Sequence, residues 1–208
     1  AAGATERMIA FGDNDRPGVM LGASIRSYIN RFAVRPGARA ALFTNNDSGW
    51  RTADAMRTAG IEVAAIIDAR AQIPGALAAA GARVHVGSQV SRALGAHSVH
   101  AIEIATARGT ERLDVDLLAV SGGWNPNAAL ATHRGARMMW SDEARAFVCN
   151  SAPSDVILAG SANAVWTLPA CLADGARAGL AAIDALGLRG TREALPECAA
   201  EPSDGQIL

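Results

Sequence analysis

The chain has 208 residues, half of them apolar, with 19 basic and 20 acidic side chains and a formal net charge of −1. Such a chain can bury a core as one large domain or two small lobes, and its evenly spread charge offers no basic face to phosphate backbones or anionic membranes, which excludes nucleic acid as a partner. No apolar run approaches the ~20 residues of a membrane span. The start A-A-G-A-T-E-R lacks a basic region followed by an apolar segment, and Cys149, Cys171 and Cys198 are an odd number at wide spacing, so the expectation is a cytoplasmic protein without a disulfide framework.

In chain order, Arg7 to Phe11 is a short apolar run ending in the turn formers Gly12 to Gly18. From Val19 to Phe32 the apolar positions Met20, Leu21, Ile25, Tyr28, Ile29 and Phe32 recur at helical steps, and Val34-Arg35-Pro36-Gly37 stops the predicted helix. Ala38 to Thr44 reads as a strand, Ser48 to Ala59 as a helix closed by Gly60, and Ile61 to Asp68 as a second strand. Both strands are apolar at nearly every position, the pattern of a parallel sheet covered on both faces. After Pro74 an alanine-rich helix to Ala80 leads to a strand over Ala82 to Val86. His100 to Ala107, Arg112 to Val115 and Leu117 to Val120 then read as an antiparallel meander. Beyond Gly122-Gly123 the spacing predicts a buried strand over Val156 to Ala159 and a long helix from about Leu168 to Leu186, before an aperiodic tail from Gly190.

The middle of the chain has the layout of a nucleotide site: strand, tight turn, helix, strand, and an acid at the end of the second strand. Helix N-terminal amides receive a pyrophosphate there, and the acid accepts bonds from ribose hydroxyls. Asp68 stands in the acid's place, about 20 residues beyond the turn. The turn Thr44-Asn45-Asn46-Asp47 lacks the glycines of G-x-G-x-x-G, so side chains crowd the place of the phosphate; Asp47 or Ser48 would cap the helix. A degenerate scaffold is the competing reading of this turn, and a plain strand-end carboxylate that of Asp68. A second candidate is Gly160, Ser161 and Asn163 before the late helix, against close packing alone. Gly122 and Gly123 are read either as cofactor contacts or as an interdomain crossover. His85, His97, His100 and His133 lack metal-ligand spacing, no cysteine lies in a C-x-x-C, and no serine lies in G-x-S-x-G. No metal site and no catalytic residue is therefore assigned.

Four strings in order carry a resemblance: G-D-N-D-R-P-G-V-M-L at Gly12 to Leu21, L-F-T-N-N-D-S-G-W-R-T-A at Leu42 to Ala53, L-L-A-V-S-G-G-W-N-P at Leu117 to Pro126, and A-G-S-A-N-A-V-W-T-L at Ala159 to Leu168. Together they resemble the α subunit of heterotetrameric sarcosine oxidase, over roughly Arg7 to Leu188. The resemblance implies an α/β fold akin to the pyridine nucleotide-disulfide reductases: a Rossmann-like three-layer NAD(P)-type lobe with a β-meander, inserted in a partial FAD-type lobe. It places the inserted lobe at 39–120, the partial lobe at 1–38 and 121–189, and a loose tail at 190–208. Thr44, Asn45, Asn46, Asp47, Asp68, Gly122, Gly123, Gly160, Ser161 and Asn163 are the expected cofactor-binding residues.

The same resemblance implies NAD in the full-length α subunit, FMN and FAD in the complex assembled with β, γ and δ subunits, and tetrahydrofolate through a downstream domain. The implied reaction turns sarcosine into glycine and formaldehyde, or methylene-tetrahydrofolate, with hydrogen peroxide. The glycine-rich fingerprint of the family lies upstream of the region resembled, so the isolated chain is expected to be inactive and to hold no cofactor of its own as one alternative. Other readings are a structural module with vestigial nucleotide sites, the α subunit of a related opine or proline dehydrogenase, and a stand-alone NAD(P)H-dependent reductase, which the missing C-x-x-C opposes.

Overall fold

A computed structural model describes residues 2–73, 82–191 and 194–199. The elements run β1 (Ala4–Glu6), β2 (Val19–Leu21), α1 (Gly22–Phe32), β3 (Arg39–Thr44), α2 (Asp47–Thr58), β4 (Glu62–Asp68), β5 (Arg83–Val86), β6 (Gln89–Leu94), β7 (Ala101–Thr106) and β8 (Gly109–Asp114). They continue with β9 (Leu117–Ser121), β10 (Trp124–Pro126), α3 (Ala129–His133), β11 (Arg137–Ser141), β12 (Ala146–Ser151), a 3-10 turn (Gly160–Asn163) and α4 (Leu168–Ala185). The described residues form two compact units, 6–123 and 2–5 with 124–199.

The unit of residues 6–123 is built on a five-stranded parallel sheet of order β2-β9-β3-β4-β5. Its three central strands alternate their side chains between two cores, as the two-residue period of a strand requires. Ala40, Leu42, Ile66, Leu117 and Ala119 point to one face, against Ile25 of α1 and Trp50, Ala53 and Met56 of α2. Ala41, Phe43, Ala65, Ile67, Leu118 and Val120 point to the other, against Val90, Ala93, Ile102 and Ile104 of the antiparallel sheet β6-β7-β8. The result is three layers: helices, parallel sheet, meander. Burying a side chain such as Phe43 or Ile67 removes it from water at a gain of roughly 1.5–3 kcal/mol.

The sequence reading needs correction in several places. Val19 to Phe32 is not one helix: Val19–Leu21 pairs as a strand with Leu118 to Val120, and the helix starts at Gly22. The meander comprises β6, β7 and β8, while Leu117 to Ser121 leaves it and inserts in parallel between β2 and β3. Residues 156–159 form no strand, and the helix expected after Pro74 lies outside the described residues. The hairpin of β11 and β12 has no counterpart in the sequence reading.

In the unit of residues 2–5 and 124–199, β1 pairs with β10, β11 pairs antiparallel with β12, and the 3-10 turn leads into α4. A proline in the first turn of α4 sits where its missing N–H costs nothing. No residue of α4 is buried. Among the described residues no helix is long and apolar enough to cross a membrane.

Candidate functional site

The parallel sheet brings the carboxyl ends of β3, β4 and β9 together above the N-terminus of α2, the place where open α/β sheets receive ligands. The turn between β3 and α2 is closed by its own side chains. Asn46 caps α2, its Oδ1 accepting from the Gly49 amide at 3.1 Å, while its Nδ2 donates to the Ser121 carbonyl at 2.9 Å and to Asn45 Oδ1 at 3.1 Å. The Thr44 hydroxyl, 3.1 Å from the carbonyls of Asn46 and Ser121, donates within the same net, and the Asn45 amide donates to the Ser121 carbonyl at 3.3 Å. Thr44, Asn46 and Ser121 are fully buried.

Thr44, Asn46 and Gly49 have the spacing of the three glycines in G-x-G-x-x-G. Only the third survives, and the structure shows why: a Cβ on Gly49 would stand 2.2 Å from Thr44 Oγ1 and 2.7 Å from Thr44 Cβ. The glycine that lets helix and strand pack closely has been kept, and the one that lets a pyrophosphate approach has been replaced by the Asn46 side chain.

Asp68 ends β4 as the spacing requires, pairing with Thr44 of β3 on one side and Val86 of β5 on the other. Its carboxylate is wholly buried. Oδ1 accepts from the Arg70 amide and Arg70 Nε, both at 3.0 Å, and Oδ2 accepts from Arg70 Nη2 at 2.8 Å and the Trp50 indole at 2.9 Å. The same guanidinium reaches Asp47 Oδ1 through Nη1 at 2.5 Å. Burial is the largest single influence on Arg70 and would lower its pKa, but the hydrogen bonds to Asp68 and Asp47, with their charges, outweigh it and raise the pKa above the ordinary arginine value. Among the described residues, two carboxylates share this one guanidinium. Arg70 escaped the sequence reading, although an arginine two residues past the strand-end acid was visible.

Gly122 and Gly123 lie on a backbone crossing. The Gly122 amide donates to the Arg7 carbonyl and the Arg7 amide to the Gly123 carbonyl, each at 2.8 Å. A Cβ on Gly122 would meet that Arg7 carbonyl at 2.9 Å, so close chain-to-chain approach accounts for the glycine. Beside this crossing Glu6 caps α1, its Oε2 accepting from the Ala23 amide at 2.6 Å. Burial pushes the Glu6 carboxyl above the ordinary range, against the opposing influence of Ser121, the Ala23 amide and Arg26.

In the other unit, Gly160 adopts the left-handed region, with φ 65°, and opens the 3-10 turn. Asp174 of α4 gathers the donors of that turn: the Gly160 amide at 2.9 Å and Asn163 Nδ2 at 3.3 Å on Oδ2, with Arg177 on Oδ1. Burial raises the Asp174 carboxyl, but the hydrogen bonds from Arg177, Gly160 and Asn163 outweigh it and hold its pKa below the ordinary range. Among the described residues no cluster of three or more His, Cys, Asp or Glu could hold a metal ion, and none of the three cysteines is in a disulfide.

The chain is 40% identical over 188 residues to the sarcosine oxidase subunit alpha of Rhizobium meliloti (strain 1021), covering 90% of this chain and 19% of that protein. It is 37% identical over 199 residues to the sarcosine oxidase subunit alpha of Corynebacterium sp. (strain P-1), covering 90% of this chain and 20% of that one. It thus spans about a fifth of the length of the curated relatives it matches. No protein-family model matches it. Among solved structures, L-proline dehydrogenase from P. horikoshii superposes with a TM-score of 0.67 at 19% identity, covering 92% of this chain and 35% of that one. Lactococcus lactis thioredoxin reductase superposes at 0.64 and 13% identity, covering 88% and 63%. These two likenesses establish that the chain shares the fold of those proteins and nothing finer.

Proposed function

We propose that this chain is part of the α subunit of a multi-subunit sarcosine oxidase, and that it serves there as nucleotide-fold scaffold rather than as the seat of amine oxidation. The observation that carries the reading is the 40% identity along nine-tenths of the chain to a sarcosine oxidase subunit alpha. The geometry supports that role: the described residues bring together a closed turn, a buried ion cluster and a capped helix.

The enzyme's reaction is the oxidation of sarcosine to glycine and formaldehyde, or methylene-tetrahydrofolate, with hydrogen peroxide formed from oxygen. FAD and FMN in the assembly, NAD in the whole α subunit, the β, γ and δ partners and the cytoplasm all belong to this proposal. Bound NAD would supply a dinucleotide, but the residues here do not fit it as they stand. At the first turn Asn46 fills the place of the pyrophosphate and Asp68 has given both oxygens to Arg70 and Trp50. At the second, the Gly160 amide and the Asn163 side chain are spent on Asp174. Gly122 and Gly123 are engaged with Arg7.

The test is reconstitution. The full reading frame that contains this segment, produced with the genes beside it, is assayed for peroxide and glycine formed from sarcosine, next to the isolated 208-residue chain. The assembled enzyme is expected to turn over sarcosine and the isolated chain to be silent. An assembly inert toward sarcosine, or steady NADH oxidation by the isolated chain, overturns the assignment.

A further inference from the structure

We propose that Arg70 is a built-in occupant of the dinucleotide crevice in the unit of residues 6–123, and that it bars nucleotides from that lobe. In a nucleotide-binding βαβ unit the strand-end acid faces an open crevice, so that its oxygens can accept from ribose hydroxyls, and the helix N-terminus faces the phosphates. Here the guanidinium lies between those two poles, bridging Asp47 in the first turn of α2 to Asp68 at the end of β4. It satisfies the acid as a ribose would, with a charge and a planar fork that a ribose lacks.

Three independent features keep the crevice shut. Asp68 has no oxygen left over, since Trp50 takes what Arg70 does not. Asp47, in the first turn of α2, already uses the positive end of that helix, where a phosphate would otherwise bind. Asn46, at the second glycine's position, fills the line of approach and ties it to β9. Opening the site would uncouple a buried ion cluster, whose separated charges are costly to leave unpaired. The inference rests on the fold of the lobe and stands whichever enzyme contains it; it leaves NAD of the whole subunit to another site.

Trp50 is the reporter. Its indole N–H donates to Asp68, so its NMR resonance registers any change at that carboxylate. The intact 208-residue chain is titrated with NAD and with ADP-ribose, the Trp50 signal being assigned through W50F. The resonance is expected to stay in place at saturating ligand, and to move, with saturable binding, in the triple variant Asn46→Gly, Asp47→Asn, Arg70→Ser, which removes the occupant, the first-turn carboxylate and the obstructing side chain together. Restoring Arg70 alone, in N46G/D47N, is expected to weaken that binding. A ligand-induced shift in the parent chain overturns the proposal, as does a folded triple variant that remains silent or an N46G/D47N that binds as tightly. Should the triple variant not fold, Arg70→Lys takes the place of R70S in it, keeping a cation without the planar fork; binding tighter than that of N46G/D47N supports the proposal, and equal or absent binding overturns it. Failure of sarcosine turnover in the reconstituted enzyme leaves these results untouched, so the two readings fail separately.

Discussion

One methyl group added at Gly49 would meet Thr44 at a distance no side-chain carbon tolerates, and neither neighbour can yield: one is a buried strand, the other a helix capped by the same turn. Gly49→Ala is expected to lower stability by roughly 1–3 kcal/mol, as overpacking does, read as an earlier midpoint in urea; an unchanged midpoint refutes the close crossing of α2 over β3. Glu6 gives the opposite kind of prediction, in pH. Because burial raises its carboxyl, the folded state holds that proton more tightly than the unfolded chain, and stability falls as pH rises from the ordinary glutamate value through the raised one. Glu6→Gln keeps an acceptor for the Ala23 amide and removes the ionisation, so it should be more stable than the parent at neutral pH and lose less across that window. A pH–stability curve parallel to the parent's would show that Glu6 is ionised at no cost. Asp68 was legible in the sequence because spacing alone placed it; Arg70 and Gly49 were not read, since the first matters only through a side chain folding back on its own strand and the second only through contact across the turn.

The capping of α2 is a property of the whole element. Asn46→Ala removes the N-cap acceptor, which typically costs ~1 kcal/mol, and also the bonds to Ser121 that tie the helix start to β9. Asn46→Asp keeps the acceptor and loses the donor. Thermal unfolding should therefore rank parent, N46D and N46A in falling order, and equal midpoints for the two variants would assign the whole effect to the lost bonds to Ser121 rather than to the cap. The β3-α2-β4 unit was readable because continuous apolar strands and a turn of Asn and Asp leave one interpretation. Strand β6 was not, for a physical reason: a register shift between Val90 and Arg92 breaks its alternation, leaving Val90 and Ala93 buried three residues apart. Strand β9 did carry its signal. All five of its residues are buried, against the alternating exposure of β8, and a run apolar on both faces belongs inside a parallel sheet rather than in a meander. Residues 156–159 show the converse, where four apolar residues satisfied the rule for a buried strand without a neighbouring strand to pair with.

At the scale of the molecule, the two units differ in how much of their apolar surface they cover. Residues 6–123 hold both hydrophobic cores, whereas Leu130, Met139, Phe147, Leu168 and Leu186 stand more than half exposed in the other unit. With a net charge of only −1 to oppose association, the isolated chain is expected to self-associate in sedimentation velocity, and Phe147→Ser with Leu168→Ser should shift it toward the monomer; a parent that stays monomeric across the accessible concentration range contradicts this. The place of β9 has a consequence in time. It lies between β2 and β3, yet it is made about a hundred residues after the one and seventy after the other, so its two neighbours have no edge to share until it arrives. On a ribosome the first half of this lobe therefore waits with the apolar rims of β2 and β3 uncovered, and the arrival of Leu117 to Ser121 is the moment at which nascent chain becomes protein.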